Sequence, residues 1–327
     1  MRMPVKASMT VLIVAMLSLS GGVASAAAPK VNDVIPVGNA PHRIDVDQDS
    51  NRIYVGNEWG ATVIDGSTHD VVTSYDLDVL DLAINPVTEK LYITTSNVLG
   101  YTGISVVDTN TDVVVKNLTE FGTTVAVNSQ TNKIYVANNG VVRVIDGSTD
   151  TVVKTISGFT DAVEIAVDEK LNKVYVADQK QTNEGHIVIV DGSTDAIVKN
   201  IKTNSHMLGD IAVNPSNSKV YVTTWGAGDR RIFVLDGATN TPLGIMGTRA
   251  HPVGLSVSNN WIFVANFDAK VITVYNSTSD SFVGNINLSA YDVNPQYVAA
   301  NGSTKEVYVT ADDYNGSDGI GTVFVIK

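Results

Sequence analysis

The sequence predicts an all-β chain folded as a seven-bladed β-propeller with four-stranded antiparallel blades. Three observations point there: one motif recurs seven times at a blade-length period, each copy divides into short strand-like runs, and the two ends of the chain are complementary. The motif is clearest in IYVGN, LYITT, IYVAN, VYVAD, VYVTT, IFVAN and VYVTA, whose aromatic residues are Tyr54, Tyr92, Tyr135, Tyr175, Tyr221, Phe263 and Tyr308. Their spacing runs from 38 residues (Tyr54 to Tyr92) to 46 (Tyr175 to Tyr221). That is the length of a four-stranded blade and too long for most helical or leucine-rich repeats.

Ahead of the first copy, MRMPVK supplies two basic residues, MTVLIVAMLSL a short apolar run, and Ala24-Ser25-Ala26 a small-residue cleavage pattern. This order predicts a secretory signal peptide over residues 1–26, with 27–327 forming a single propeller domain. The apolar run is too short for a permanent anchor, and no second long apolar segment follows. The mature chain is therefore expected outside the cytoplasm, as a periplasmic, secreted or cell-surface protein.

Within a copy the order is constant. In the third, TVAVN is followed by a polar turn, KIYVAN, a loop, VVRVID, the turn DGSTD and TVVKTI. These runs are rich in Val, Ile, Thr and Tyr and bounded by Gly, Asn, Asp and Ser, which favours strands over helices. The second run is almost continuously apolar, as in a strand covered on both faces. The last copy stops at Lys327 after VFVIK, one strand short, while KVNDVIPVG near the N-terminus matches the missing fourth run. The N-terminal segment is expected to complete the last blade and close the ring non-covalently.

The motifs IYVAN and VYVTT, followed by VIDGST and a VVKTI-like strand, resemble the YVTN-repeat β-propellers, a group found largely in exported and surface-layer proteins of bacteria and archaea. The resemblance covers essentially all of the mature chain. It implies the fold and an extracytoplasmic setting, and says little about activity, because propellers host enzymes, binding platforms and scaffolds alike.

Composition narrows the function classes. The chain has 22 basic and 34 acidic residues, net −12, and losing Arg2 and Lys6 with the signal peptide makes it −14. Such a balance disfavours nucleic acid and anionic membranes as partners. With no cysteine there is no disulfide, thiol nucleophile, soft metal site or haem attachment. G-x-S-x-G, a P-loop and a strand-to-helix G-x-G-x-x-G are also absent.

The turn recurs as DGSTH (65–69), DTNTD (108–112), DGSTD (146–150), DGSTD (191–195), DGATN (236–240) and NSTSD (276–280). Its first Asp or Asn is expected to bond backbone N–H groups ahead of it, as hairpin chemistry. A calcium-loop reading is weaker, because the Gly and distant Glu of an EF-hand are missing and two copies carry an amide for a carboxylate. The acidic segment with Asp312, Asp313, Asn315 and Asp318 likewise fits a solvated loop better than a calcium site.

Function is expected in what does not recur. Aligning the segments that approach each innermost strand gives one residue per copy: Arg43, Asp81, Thr124, Glu164, Asp210, Gly254 and Tyr297. The column two residues later is mainly Ala. His42, His206 and His251 lie just upstream in copies 1, 5 and 6, where neutral imidazoles suit Zn or Cu and carboxylates suit Ca. Trp59 and Trp225 occupy similar loop positions in copies 1 and 5, where aromatic rings stack on sugars or anchor proteins. Two readings stand. One is a recognition or surface-associated scaffold for a protein, glycan or small ligand. The other is a metal-binding protein or metal-dependent enzyme, of lyase or hydrolase type, using His and carboxylate residues at the channel mouth.

Overall fold

The inner predicted runs become strands whose Val, Ile and Tyr side chains are buried on both faces of a sheet. The computed structural model describes residues 29–58, 60–96, 102–120, 122–180, 184–205, 207–224, 229–312 and 321–327. The expected signal peptide at 1–26 lies outside them. The described residues are all-β apart from one 3-10 turn, Ser289–Tyr291, and none of their helices is long and apolar enough to cross a membrane. The motif tyrosines Tyr54, Tyr92, Tyr135, Tyr175, Tyr221 and Tyr308 are fully buried. Outer strands such as Val113–Leu118 instead alternate exposed and half-buried residues.

The strands form antiparallel propeller blades. Hydrogen bonding gives six sheets, which corrects the expectation of seven separate four-stranded ones: five have four strands and one has six. The six-stranded sheet spans the third and fourth copies. Its strand Lys133–Asp146 runs through what was expected as two strands, and Thr151–Asp168 continues from the outer run of one copy into the inner run of the next. The pairing of Asn139 with Ala162 links the two, and Gly158, at φ +117°, takes a conformation that L side chains rarely adopt inside the longer strand. The innermost strands are Ile44–Asp47, Val79–Asn85, Thr124–Asn128, the 162–168 part of Thr151–Asp168, Leu208–Val213, Pro252–Ser258 and Asn294–Ala300. They are neighbours in that order, and the last returns to the first.

Closure is non-covalent. Val31–Pro36 pairs antiparallel with Thr322–Ile326 as the outer strand of the last sheet. An apolar cluster with Ile35, Val37, Tyr308 and Val325 from that sheet and Val46, Ile53 and Ile64 from the first fills the junction.

The recurrent turn does two jobs. Its first residue caps, as expected: Asp146 Oδ1 accepts the Ser148 and Thr149 amides at 2.8 and 3.3 Å. Its last residue, in the left-handed region (Asp150 φ 49°), was not foreseen to reach the preceding copy. Asp150 pairs with Lys90 at 2.7 Å and accepts the Tyr92 hydroxyl at 2.7 Å. Arg52–Asp112, Lys133–Asp195 and Lys219–Asp280 repeat the pairing at 2.8, 2.7 and 2.6 Å. With Lys173, which donates to Asn240 Oδ1 at 2.9 Å, each of the first five copies is thus latched to the next by a basic residue two positions before the motif aromatic. The last sheet has no such turn, because its outer strand comes from the N-terminus. Opposite it, Trp261 and Phe263 replace the Lys and Tyr and pack in the apolar cluster instead.

Candidate functional site

The aligned column converges. Backbone irregularities between Val79 and Asp81, Ala162 and Glu164, Leu208 and Ile211, and Pro295 and Val298 lie where the innermost strands begin. Such bulges re-aim side chains next to them. The Arg43 Nη1 donates to Glu164 Oε2 at 2.6 Å, and its Nε lies 3.6 Å from Asp81 Oδ1. The guanidinium stacks over the Tyr297 ring, 4.3 Å from its centroid. Gly254 contributes no side chain because a Cβ there would sit 2.6 Å from Gln296 O.

Thr124 Oγ1 lies 2.8 Å from Asp81 Oδ2 and 2.6 Å from Glu164 Oε1. A hydroxyl carries one proton, so both contacts are hydrogen bonds when one carboxyl supplies a second. Burial pushes the Glu164 carboxyl above its usual range; the Arg43 charge opposes this and the Asp81 charge adds to it. Asp210 accepts the Ile211 and Leu255 amides at 2.8 and 2.7 Å. Burial first, then the neighbouring Glu164 charge, push it to about 8 against those bonds and Arg43. For Arg43, burial would lower the pKa, but Asp81 and Glu164 outweigh it and the guanidinium is held charged.

Arg43, Asp81, Glu164, Asp210 and Tyr297 border a cavity of about 260 Å³ along the channel. Asp45, two positions after Arg43, also lines it. Burial pushes Asp45 to about 6, against bonds from the Ile84 and Val46 amides. It is the cavity carboxyl that the aligned column missed. Its signal was present in the sequence, as the single acid in a column otherwise of Ala and Ser: Ala83, Ala126, Ala166, Ala212, Ser256 and Ala299. The cavity thus holds four carboxyl groups against one guanidinium. A larger cleft of about 500 Å³ beside Val71–Tyr75 contains none of the column residues.

The two described histidines of the expected set, His42 and His251, have separate partners. His42 lies with Nδ1 3.0 Å from Ala40 O and Nε2 2.9 Å from Val79 O, so backbone carbonyls occupy both nitrogens. His251 packs on Phe267, ring centroids 5.3 Å apart, with Nδ1 3.4 Å from Asp268. His206, Trp59 and Trp225 lie outside the described residues, as do positions 313–318 of the acidic loop. Among the described residues, no group of three or more His, Asp or Glu is placed to hold a metal ion.

No family model matches the chain, and no curated protein matches it. Among solved structures it is similar to Kuenenia stuttgartiensis hydrazine synthase, at 14% identity and a TM-score of 0.73, over 93% of this chain and 98% of that one. At this identity the likeness shows the propeller fold alone.

Proposed function

We propose that this chain is an exported propeller of the YVTN-repeat kind that acts as a recognition scaffold on its channel face. In this reading the six-stranded sheet works as two blades, so that seven inner strands surround the channel. The ligand presents a cationic group, from a basic protein segment or a small amine, to the channel mouth. The observation that carries this is the imbalance of the cavity: Asp45, Asp81, Glu164 and Asp210 surround one guanidinium, Arg43. A bound cation offsets the desolvation and like-charge repulsion that raise the Asp45 and Asp210 carboxyls to about 6 and about 8.

The test is calorimetric titration of the full chain with a short oligolysine peptide, a matching oligoglutamate peptide and zinc chloride. Oligolysine binding that weakens about tenfold in an Asp45→Asn, Asp210→Asn double variant supports the reading. Absence of oligolysine binding overturns it, and stoichiometric zinc binding in its place favours the metal-dependent alternative.

A further inference from the structure

The junction between the last and first sheets reverses the polarity of the other latches. At the first five junctions a Lys or Arg before the motif aromatic meets an Asp or Asn at the end of the next turn. Here the basic position is Glu306 and the acidic position is His69, in the same left-handed conformation at φ 60°. His69 Nδ1 lies 3.0 Å from Asp33 Oδ2 on the N-terminal strand, and Nε2 lies 3.7 Å from Glu306 Oε2. Glu306 also takes the Lys327 ammonium and the Tyr308 hydroxyl, each at 3.0 Å. One network therefore ties the N-terminal strand, the first turn, the last sheet and the C-terminal residue.

We propose that His69 is a pH-operated lock on the N-terminal strand: the imidazolium hydrogen-bonds Asp33 while ion-paired with Glu306 and so holds the strand on the ring, whereas the neutral ring loses the charge of this pairing and lets the strand loosen. The arrangement has the asymmetry this needs. The Lys–Asp and Arg–Asp latches keep their charges across neutral pH, while histidine changes charge between pH 5 and 8. The strand Val31–Pro36 is lightly held, with Ile35 its one buried residue and the Asp33 side chain 49% exposed.

Charged and titratable groups surround the ring. Asp33 faces it from the N-terminal strand and Glu306 from the last sheet, while Asp65 and Asp70 lie in and beside its own turn. Tyr308 meets it edge-on at 6.5 Å, and Lys327 opposes it from beyond Glu306. Burial would raise the Glu306 carboxyl, but its bonds from Lys327 and Tyr308 and the charges of Lys327 and His69 hold it below the usual range, so it is an anion when the lock operates.

Hydrogen exchange of the full chain at pH 5.5 and 8.0, corrected for intrinsic rates, tests this with the amides of 307–312 as internal reference. Protection of 31–36 should fall roughly three- to fivefold at pH 8.0. His69→Lys should hold it high at both pH values, and His69→Gln low at both. Lysine is tolerated in this conformation, since Lys270 and Lys305 already adopt φ 51° and 64°. Equal protection of 31–36 in the wild type at both pH values, or a persisting pH dependence in His69→Gln, would overturn the proposal.

Discussion

Arg43 and Glu164, 121 residues apart in sequence, are joined by a 2.6 Å charge-assisted hydrogen bond between two innermost strands that are not neighbours in the ring. The bond cross-braces the channel while neutralising one of its four carboxyl groups. It is buried on the Glu164 side and 16% exposed at the Arg43 side chain.

Replacing Arg43 with Met should therefore destabilise the fold by roughly 2–3 kcal/mol at pH 7, somewhat under the range for breaking a fully buried pair. The loss should shrink at pH 4.5, where the abandoned carboxylates take up protons. Urea unfolding at the two pH values measures both effects, and a pH-independent loss would show that Arg43 acts by packing alone.

Asp210 sets an opposite pH dependence. Its folded pKa, about 8, lies above the ordinary aspartate value, so the folded state binds more protons than the unfolded state across the window between them. Stability from this group is present below the unfolded value and is lost as pH rises toward 8. Asp210→Asn should remove that decline and stabilise the protein at pH 8 by about 1–3 kcal/mol. Denaturation midpoints from pH 4 to 9 decide it, and a variant with an unaltered slope would refute the assignment.

The two acids of one turn should behave differently. Asp146→Ala removes a local cap and should cost about 0.5–2 kcal/mol, with calcium making no difference. Asp150→Ala abandons Lys90 and Tyr92 across the blade junction and places alanine at φ 49°, and should cost about 3 kcal/mol. Asp150→Asn keeps the backbone preference and the Tyr92 contact and should cost less. Thermal unfolding of the three variants orders them, and an equal loss for Asp146→Ala and Asp150→Ala would remove the latch.

Why the first of these acids was legible and the second was not has a physical reason. Local rules govern Asp146, whose partners lie two and three residues away. Asp150 acts on Lys90 and Tyr92, 60 and 58 residues back, a relation that appears only once the blades are stacked. The same distinction runs through the site. The alignment of seven repeats placed Arg43, Asp81, Thr124, Glu164, Asp210 and Tyr297 around one opening because the repeat fixes their position along each inner strand. It could not show that they bond one another, since side-chain reach across the channel is a property of the closed ring. His42 illustrates the converse. Its neighbourhood in sequence suggested a ligand, but the Ala40 and Val79 carbonyls claim its nitrogens. The sheet count diverged for a third reason: hydrogen bonding continues through 138–140 and 157–162, where the sequence carries ordinary turn signals.

The N-terminal strand yields the most severe test of closure. Ile35 and Val37 are 4% and 8% exposed and belong to the cluster that joins the last sheet to the first. Burying two such aliphatic side chains contributes roughly 3–6 kcal/mol. Deleting 31–37 also strips Thr322–Ile326 of its outer partner, which leaves an open ladder of backbone groups at the edge of the last sheet. The truncated chain should unfold at least about 10 °C lower than the wild type and self-associate through the exposed edge. Calorimetry and light scattering measure the two consequences. An unchanged melting temperature would mean that the ring closes without this strand.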